Sequence, residues 1–411
     1  MTTLYPRHAR ALVTDALSYS PAVFVTGARQ VGKSTLAQQI VAEHGIGQAV
    51  TLDDKSVRDA AVGDPTGFVA NLKESVLIDE VQRAPDLLLA IKEDIDRQRR
   101  PGRFLLTGSA NVLTAPKVHE ALTGRAALVT LWPLAQSELE GSERNVVDAL
   151  LTGDTPRVTN AQVGREAFVS RIAEGGYPEA RVLPPRQRRR LLADYVTSTL
   201  QRDLREIADA RKLGEMPRLL RLLASRSGNI HVTSNVAVAL GMTRDTVQAY
   251  TRLLETVFLV RSVPAWRPGI GGREIHAPKV HMVDSGLLAA VLGADEQRIA
   301  TDDQLTGRLL ESFVAMEVAR HVDWADTPAT QYHYRDRRDE VDIVLEASSG
   351  DIAAIEVKAS ATVGPRDWRV LAKLRDARGD AFRCGVVLYT GAQTLPLSDR
   401  IWAVPFSGLW A

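Results

Sequence analysis

Glycines, a lysine and a serine near the N-terminus have the spacing that binds nucleotide phosphates. Residues 27–34 read G-x-x-x-x-G-K-S, a complete P-loop, after the apolar run 22–25 and before the helix-forming run 35–41. This order points backbone N–H groups and the positive end of a helix at phosphate oxygens. We therefore predict an ATP site in which Lys33 contacts the β- and γ-phosphates and Ser34 ligates Mg²⁺. The residues predicted to bind ATP are Gly27, Ala28, Arg29, Gln30, Val31, Gly32, Lys33, Ser34 and Thr35.

Two acidic residues follow a second apolar run, 76–78. In a nucleotide-hydrolysing site, Asp79 would hold Mg²⁺, directly or through water, and Glu80 would orient or deprotonate the attacking water. The alternative is a buried strand that ends in a solvated acidic turn. Because a full P-loop precedes the pair, we favour the catalytic interpretation.

A third apolar run, 104–106, ends in small polar residues. We predict a buried parallel strand beside the acidic one, with Thr107 contacting the γ-phosphate or the lytic water and Ser109 and Asn111 behind it. A turn that caps the next helix is the alternative for each of these residues.

Arg125 is the candidate for stabilising the charge that develops during phosphoryl transfer, because a guanidinium stays charged and binds oxygens bidentately. It would act in cis or reach a neighbouring subunit, which would require a homo-oligomer. A surface salt bridge is an equally strong interpretation.

The N-terminal motifs together resemble bacterial AAA-type ATPases that carry a C-terminal domain of unknown function. The resemblance runs from about residue 8 to the C-terminus and implies an AAA-type fold, with a parallel sheet flanked by helices and ATP at the carboxyl ends of the strands. The segments that carry it are TGARQVGKSTL (26–36), TLDD (51–54), VLIDEVQRAPDLLLAIKEDID (76–96), FLLTGSAN (104–111), LTGR (122–125) and LWPLAQSEL (131–139).

The middle of the chain contains a basic segment and a helix-turn-helix pattern. Residues 165–226 hold 14 basic and 8 acidic residues, which suits either nucleic-acid phosphates or a solvated helix face. Residues 230–263 fit a winged helix whose second helix would offer Arg244, Gln248 and Arg252 to DNA or RNA. Gly269, Gly271, Gly272 and Arg273 would form a wing tip or a flexible loop. Protein packing is the alternative role.

Four charged residues of the last third have the order E…D…E-x-K, which resembles the PD-(D/E)XK nuclease superfamily. Asp342 lies on one predicted strand, Glu356 and Lys358 lie on one face of its hairpin partner, and Glu311 lies on a preceding helix. Asp342 and Glu356 are hard oxygen ligands for Mg²⁺ or Mn²⁺, while Lys358 would position water or stabilise the transition state. Val341 stands where the motif has proline.

Length and composition fit an α/β protein of several domains. The 411 residues carry a net charge of +1 and one cysteine, so neither a disulfide framework nor a cysteine-rich zinc site is expected. No apolar run is long enough for a membrane span and no signal peptide is recognised, so we expect a cytoplasmic protein without a membrane partner. The expected domains are an AAA-type ATPase (1–140), a helical linker (141–230), a winged helix (231–277) and a nuclease-like α/β domain (278–411).

Two functions follow from these motifs. The first is an ATP-hydrolysing protein that acts on nucleic acid, with metal-dependent phosphodiester cleavage by the C-terminal domain. The second is an ATP-operated switch whose nuclease-like domain only binds a partner.

Overall fold

The chain folds into two compact units. The computed structural model describes residues 4–72, 75–109, 122–159, 164–204, 214–268 and 276–410. Asn111, Gly269, Gly271, Gly272 and Arg273, which were singled out in the sequence, lie outside these ranges. The first unit comprises Met1–Pro133, Gln201–Ala210 and Thr256–Phe258, and the second comprises Leu134–Leu200, Arg211–Glu255 and Leu259–Ala411.

The first unit contains a five-stranded parallel sheet in the order β2-β3-β4-β1-β5, which confirms the predicted parallel sheet. A 3-10 turn, Val81–Arg83, follows β3. The elements are α1 (Ala9–Tyr19), β1 (Ala22–Thr26), α2 (Lys33–His44), β2 (Gln48–Thr51), α3 (Lys55–Gly63), α4 (Pro65–Ala70), β3 (Val76–Asp79), α5 (Leu87–Arg97), β4 (Phe104–Thr107) and β5 (Ala126–Thr130).

The order of the central strands places the predicted catalytic residues at one edge. All five residues of β1 and all four of β4 are buried, as expected for parallel strands covered on both faces. Strand β4 lies between β1 and β3. The carboxyl ends of these strands carry the P-loop, Thr107 and the Asp79-Glu80 pair, so the three motifs meet at that edge.

The second unit begins with a helical region. Its first helices are α6 (Gln136–Glu140), α7 (Val146–Thr152), α8 (Arg165–Glu174), α9 (Pro178–Arg181) and α10 (Pro185–Ser198). A π-helical turn, Thr199–Asp203, follows α10 and leads into the part of the chain that belongs to the first unit.

Three helices and a two-stranded antiparallel sheet follow. They are α11 (Met216–Ser225), α12 (Thr233–Leu240), α13 (Arg244–Thr256), β6 (Val260–Val263) and β7 (Lys279–Met282). An isolated antiparallel bridge joins Ile230, between α11 and α12, to Lys279 of β7. The predicted domain boundary at residue 277 therefore falls within the β6–β7 hairpin.

The rest of the second unit is built on a six-stranded mixed sheet in the order β12-β13-β11-β10-β9-β8. Helices α16 and α17 pack against it. The elements are α14 (Ser285–Val291), α15 (Glu296–Thr301), α16 (Asp303–Asp323), β8 (Ala329–Asp336), β9 (Asp339–Ala347), β10 (Ile352–Val357), α17 (Pro365–Arg378), β11 (Phe382–Tyr389), β12 (Leu395–Ser398) and β13 (Ile401–Pro405). The antiparallel β9–β10 pair is the predicted hairpin, with Ile343 opposite Ile355.

Candidate nucleotide site and acidic cluster

The P-loop has a backbone that glycine alone suits at its first position. Gly27 has a φ of +150°, and a Cβ built there would lie 2.2 Å from the carbonyl oxygen of Leu131. Gly32, just before α2, has a φ of +96°, and Gln30 has a φ of +62°. Because a side chain at residue 27 would collide with backbone, the tight curve of the loop depends on this glycine.

The lysine of the motif is folded into the loop. Lys33 is buried, and its Nζ donates to the carbonyl oxygens of Gly27 and Ala28 at 3.1 and 2.7 Å. Burial lowers its pKa to about 8, against the opposing effect of Glu80 and Asp79. Phosphate oxygens of a bound nucleotide would replace the two carbonyls as partners of this ammonium.

Side chains from three elements meet at Asp79. Ser34 Oγ, in α2, donates to Asp79 Oδ1 at 2.8 Å, and Thr107 Oγ1, at the end of β4, donates to the same oxygen. A serine hydroxyl beside an aspartate carboxylate is the donor set that Mg²⁺ takes in P-loop sites, so the residues fit Mg²⁺–ATP.

The backbone turns sharply at Glu80. Its φ of +59° lies in the left-handed region, which is uncommon outside glycine. The Glu80 N–H donates to Thr107 Oγ1 at 3.2 Å, and Gln82 Nε2 donates to Glu80 Oε2. The Ser109 N–H donates to Gln82 Oε1 at 3.4 Å. Gln82 thus links the predicted base to the loop after β4, a role that no sequence pattern indicated.

Arginines from outside the motif brace the P-loop. Arg7 donates from Nη1 to the Val31 carbonyl at 2.7 Å and from Nη2 to the Trp132 carbonyl at 2.6 Å. Within the loop, Arg29 Nε lies 3.0 Å from Asp203 Oδ1 in an ion pair. Sequence reasoning missed both Arg7 and Asp203, since each is far from the loop along the chain.

Arg125 lies at the amino ends of the parallel strands, whereas the P-loop lies at their carboxyl ends. The Ala22 N–H donates to the Arg125 carbonyl at 3.3 Å, and Ala22 pairs with Ala126, so Arg125 is level with the start of β1. Its Nε and Nη2 contact the two carboxylate oxygens of Asp96 at 2.7 and 2.9 Å. This placement contradicts action in cis and favours the salt bridge.

The acids of the TLDD segment have structural contacts. Asp53 forms an ion pair with Arg83, and Asp54 caps α3 by accepting from the N–H groups of Ser56 and Val57. These contacts explain both residues as turn acids.

The four predicted residues of the nuclease-like region do come together, but two lysines pair with their carboxylates. Lys358 Nζ lies 2.8 Å from Glu356 Oε1. Lys279 Nζ, which sequence reasoning missed, lies 2.7 Å from Glu311 Oε1 and 3.1 Å from Asp342 Oδ1. We call the four acidic residues Glu311, Glu340, Asp342 and Glu356 the acidic cluster.

Glu340 and the main chain complete the acidic cluster. Lys279 Nζ lies 2.9 Å from Glu340 Oε1, and Asp342 Oδ2 accepts from the Val357 N–H at 3.0 Å. Among the described residues, no group of three or more His, Cys, Asp or Glu is arranged to hold a metal ion. An ammonium therefore lies where the sequence predicts a metal.

Burial and mutual repulsion perturb the acidic cluster. Burial raises the pKa of Glu311 and of Glu356 to about 8, with a further contribution from Asp342. Burial opposes the charged form of Lys279, but Asp342, Glu311 and Glu340 together raise its pKa above the ordinary value. The partly exposed carboxylates of Glu311, Glu340 and Asp342 thus share one buried ammonium, which offsets their mutual repulsion.

Two histidines lie near the acidic cluster. His281 Nδ1 is 3.1 Å from Ser312 Oγ, and His333 Nε2 is 3.2 Å from the Ala277 carbonyl. Burial lowers the pKa of His281 to about 3 and that of His333 to about 4, and Lys279 contributes to both shifts. Both histidines are therefore neutral residues packed in the second unit.

The polar residues of α13 and the arginines of residues 165–190 differ in their surroundings. Arg244, Gln248 and Arg252 are exposed along α13, where a winged helix would place its recognition residues. In contrast, five arginines between residues 165 and 190 form ion pairs. These pairs are Arg165–Asp303, Arg171–Glu140, Arg181–Glu174, Arg188–Glu296 and Arg190–Asp194.

Three family models match successive parts of this chain. Residues 19–140 match an AAA domain, residues 165–298 match a domain of unknown function (DUF8612), and residues 306–409 match a second (DUF4143). These matches support an AAA-type ATPase domain followed by a C-terminal DUF4143 region. Among the described residues, no helix has the length and apolar character needed to cross a bilayer.

The chain is also similar to two mycobacterial proteins and to solved structures of ATPases. Two uncharacterized proteins, from Mycobacterium bovis and Mycobacterium tuberculosis, are each 29% identical over 403 residues, which cover 97% of this chain and 83% of the relative. A Walker-type ATPase of Pyrococcus abyssi is 16% identical, with a TM-score of 0.42, covering 70% of this chain and 96% of that chain. The RuvB Holliday junction branch migration motor of Thermotoga maritima is 18% identical, with a TM-score of 0.31, covering 64% and 93%.

Proposed function

We propose that this protein is an ATP-operated switch that hydrolyses ATP in its first unit and binds a macromolecular partner through its second unit. The observation that carries the proposal is the meeting of Ser34, Thr107 and the Asp79 carboxylate at one point. The AAA domain match over residues 19–140 supports the same activity.

Each residue at the nucleotide site has a role in hydrolysis. Bound Mg²⁺ would neutralise the β- and γ-phosphate oxygens, held by Ser34 and Asp79. Lys33 would bind phosphate oxygens, and Glu80 would orient the water and take its proton. Gln82, by donating to Glu80, and Thr107, by accepting from its N–H, would fix that carboxylate.

The partner we propose is nucleic acid. Arg244, Gln248 and Arg252 are exposed on α13, and the order α11, α12, α13, β6, β7 fits a winged helix. A protein partner is the alternative, since folds of this type also serve protein binding.

Metal-dependent cleavage of nucleic acid is the second candidate. The proximity of Asp342 to Glu311, through their shared contact with Lys279, favours it, since the nuclease-like interpretation requires these carboxylates to be neighbours. The lysine between them favours binding without cleavage.

Two assays on purified protein separate these functions. ATP hydrolysis is measured for wild type, Lys33→Ala and Lys55→Ala, whose exposed lysine pairs with Asp59 and serves as the control. We expect loss of hydrolysis in Lys33→Ala alone. Equal hydrolysis in all three would show that this P-loop is not the site of the activity, and no hydrolysis by wild type would refute the ATPase assignment.

The second assay tests binding and cleavage. Linear and supercoiled DNA, single strands and structured RNA are incubated with Mg²⁺ or Mn²⁺, with and without ATP. The switch predicts ATP-dependent binding without cleavage, weakened by Arg244→Ala with Arg252→Ala. Cleavage that disappears in Asp342→Ala would establish the nuclease instead.

A further inference from the structure

The ammonium of Lys279 lies where the side chains of the acidic cluster converge. It contacts one oxygen each of Glu311, Glu340 and Asp342, at 2.7, 2.9 and 3.1 Å. The side chain of Lys279 is 1% exposed. Several carboxylate oxygens around one point form the donor set that a hard divalent cation takes, and here a –NH₃⁺ group takes it.

We propose that Lys279 is the resident cation of the acidic cluster, that it excludes divalent metal ions, and that its replacement by a small neutral residue opens a Mg²⁺ or Mn²⁺ site. The ligands of that site would be Glu311, Glu340 and Asp342, which would have to move closer together than the ammonium now holds them. The inference rests on the proposed function, because it assumes that the second unit binds its partner without cleaving it. It does not depend on the nucleotide site.

The backbone fixes Lys279 in this role. Its residue pairs with Val263 of β6 and also forms the bridge to Ile230, so strand β7 is held from two sides at this position. A lysine stem anchored in this way delivers its charge to one place. A desolvated carboxylate without a cation is costly, so the acidic cluster must hold this ammonium, a metal ion, or protons on carboxyl groups whose pKa is raised, such as Glu311.

A glycine leaves the space that Glu311 fills. A Cβ on Gly228 would lie 3.0 Å from Glu311 Cδ and 3.1 Å from both carboxylate oxygens. The Gly228 N–H donates to the Val280 carbonyl at 3.1 Å, which ties this backbone to β7 beside Lys279. The packing therefore accommodates the carboxylate and the strand that carries its cation together.

The test measures Mn²⁺ binding without nucleotide. Wild type, Asp342→Asn, Lys279→Ala, Lys279→Met and Lys279→Ala with Asp342→Asn are followed by electron paramagnetic resonance of free Mn²⁺ and by thermal unfolding. Methionine removes the charge but fills the space of the lysine side chain. It therefore separates the effect of losing the charge from the effect of opening space for a metal ion. Ser34→Ala in each background identifies Mn²⁺ bound at the P-loop.

We expect Lys279→Ala to bind Mn²⁺ at least about tenfold more tightly than wild type, with a rise in Tm that Asp342→Asn abolishes. Lys279→Met should gain neither. Wild-type Mn²⁺ binding that Asp342→Asn removes would overturn the proposal, as would a folded Lys279→Ala that gains no site.

A folding defect would also be informative. If Lys279→Ala unfolds without metal, refolding on addition of Mn²⁺ supports the proposal. If it stays unfolded, Lys279→Ser, which is also small and neutral, replaces it. A gain of Mn²⁺ binding in that variant supports the proposal, and a folded variant without the gain overturns it. Failure of the proposed function is distinguished from failure of this inference because cleavage is assayed separately on wild type.

Discussion

Ser34 Oγ donates to Asp79 Oδ1 across 2.8 Å, which joins the start of α2 to the end of β3. The two residues are separated along the chain by the rest of α2 and by β2, α3 and α4. The hydroxyl and the carboxylate predicted to hold Mg²⁺ are therefore neighbours within the fold of the first unit, and the mutations below test that arrangement.

Thr107 should be needed for hydrolysis through its hydroxyl. It donates to Asp79 Oδ1, accepts from the Glu80 N–H, and is fully buried. Thr107→Val keeps the shape but removes both bonds, so we expect kcat to fall about tenfold or more. Thr107→Ser, which keeps the hydroxyl, should stay near wild type in a steady-state phosphate-release assay. Equal activity of the two variants would contradict this role.

Glu80→Gln should separate binding from hydrolysis. The amide keeps the size of the side chain but cannot accept a proton from water, so we expect hydrolysis to fall about a hundredfold or more while ATP still binds. Single-turnover hydrolysis and fluorescent-nucleotide titration measure the two steps. Glu93→Gln, on the exposed surface of α5, is the control. Loss of ATP binding in Glu80→Gln would show that the residue supports the loop instead.

Gly27→Ala should abolish ATP binding. The new Cβ would collide with the Leu131 carbonyl, and a φ of +150° is strained for alanine, so the loop must change its course. Gly63→Ala is the control, because a Cβ at the end of α3 meets nothing within 4 Å. Isothermal titration with ATP and Mg²⁺ compares the two. A Gly27→Ala protein with wild-type affinity would mean that this glycine does not shape the nucleotide site.

Arg125→Ala and Asp96→Ala should behave alike. Their side chains contact each other through two bonds, and Arg125 is level with the start of β1, whereas the P-loop follows its end. We expect unchanged ATP hydrolysis and a small fall in Tm for either change, since exposed ion pairs contribute little. A large loss of hydrolysis in Arg125→Ala, with Asp96→Ala normal and activity rising with protein concentration, would instead indicate action in a neighbouring subunit.

Local patterns in the sequence predicted the parallel strands and the nucleotide motifs. The strand, glycine turn and helix of the P-loop are adjacent along the chain, so composition and spacing are enough to place Lys33 and Ser34. The same holds for the β9–β10 hairpin, where alternation predicted the position of Glu356. In both cases the contacts that matter follow from a few consecutive residues.

Residues that act across the fold were beyond prediction. Lys279 lies 32 residues before Glu311 and 63 before Asp342, so no local pattern in the sequence links it to either residue. Arg7 reaches Val31 and Trp132 in the same long-range way. Arg125 was placed by strand register, which a single sequence does not contain. The burial of a lone charged residue becomes interpretable once its partners are known.

His281 should make stability depend on pH between about 6.5 and 3. Burial holds its folded pKa at about 3, with Lys279, His333 and Arg261 facing it as further positive or titratable groups. Because the folded pKa is lowered, the unfolded chain binds a proton below pH 6.5 that the folded chain does not. The histidine is therefore neutral at no cost near pH 7, and its contribution falls by about 1.4 kcal/mol per pH unit as the pH drops below 6.5.

His281→Asn removes this titration but keeps a polar atom for Ser312, so it should be less stable than wild type at pH 7 and lose less stability at pH 5. Urea unfolding at both values measures the difference between the two proteins. Glu311 and Glu356, whose pKa values are raised, contribute with the opposite sign in both proteins and cancel in that difference. A stability difference that does not change with pH would show that the pKa of His281 is the same in the folded and unfolded chains, and would contradict the lowered pKa of the buried ring.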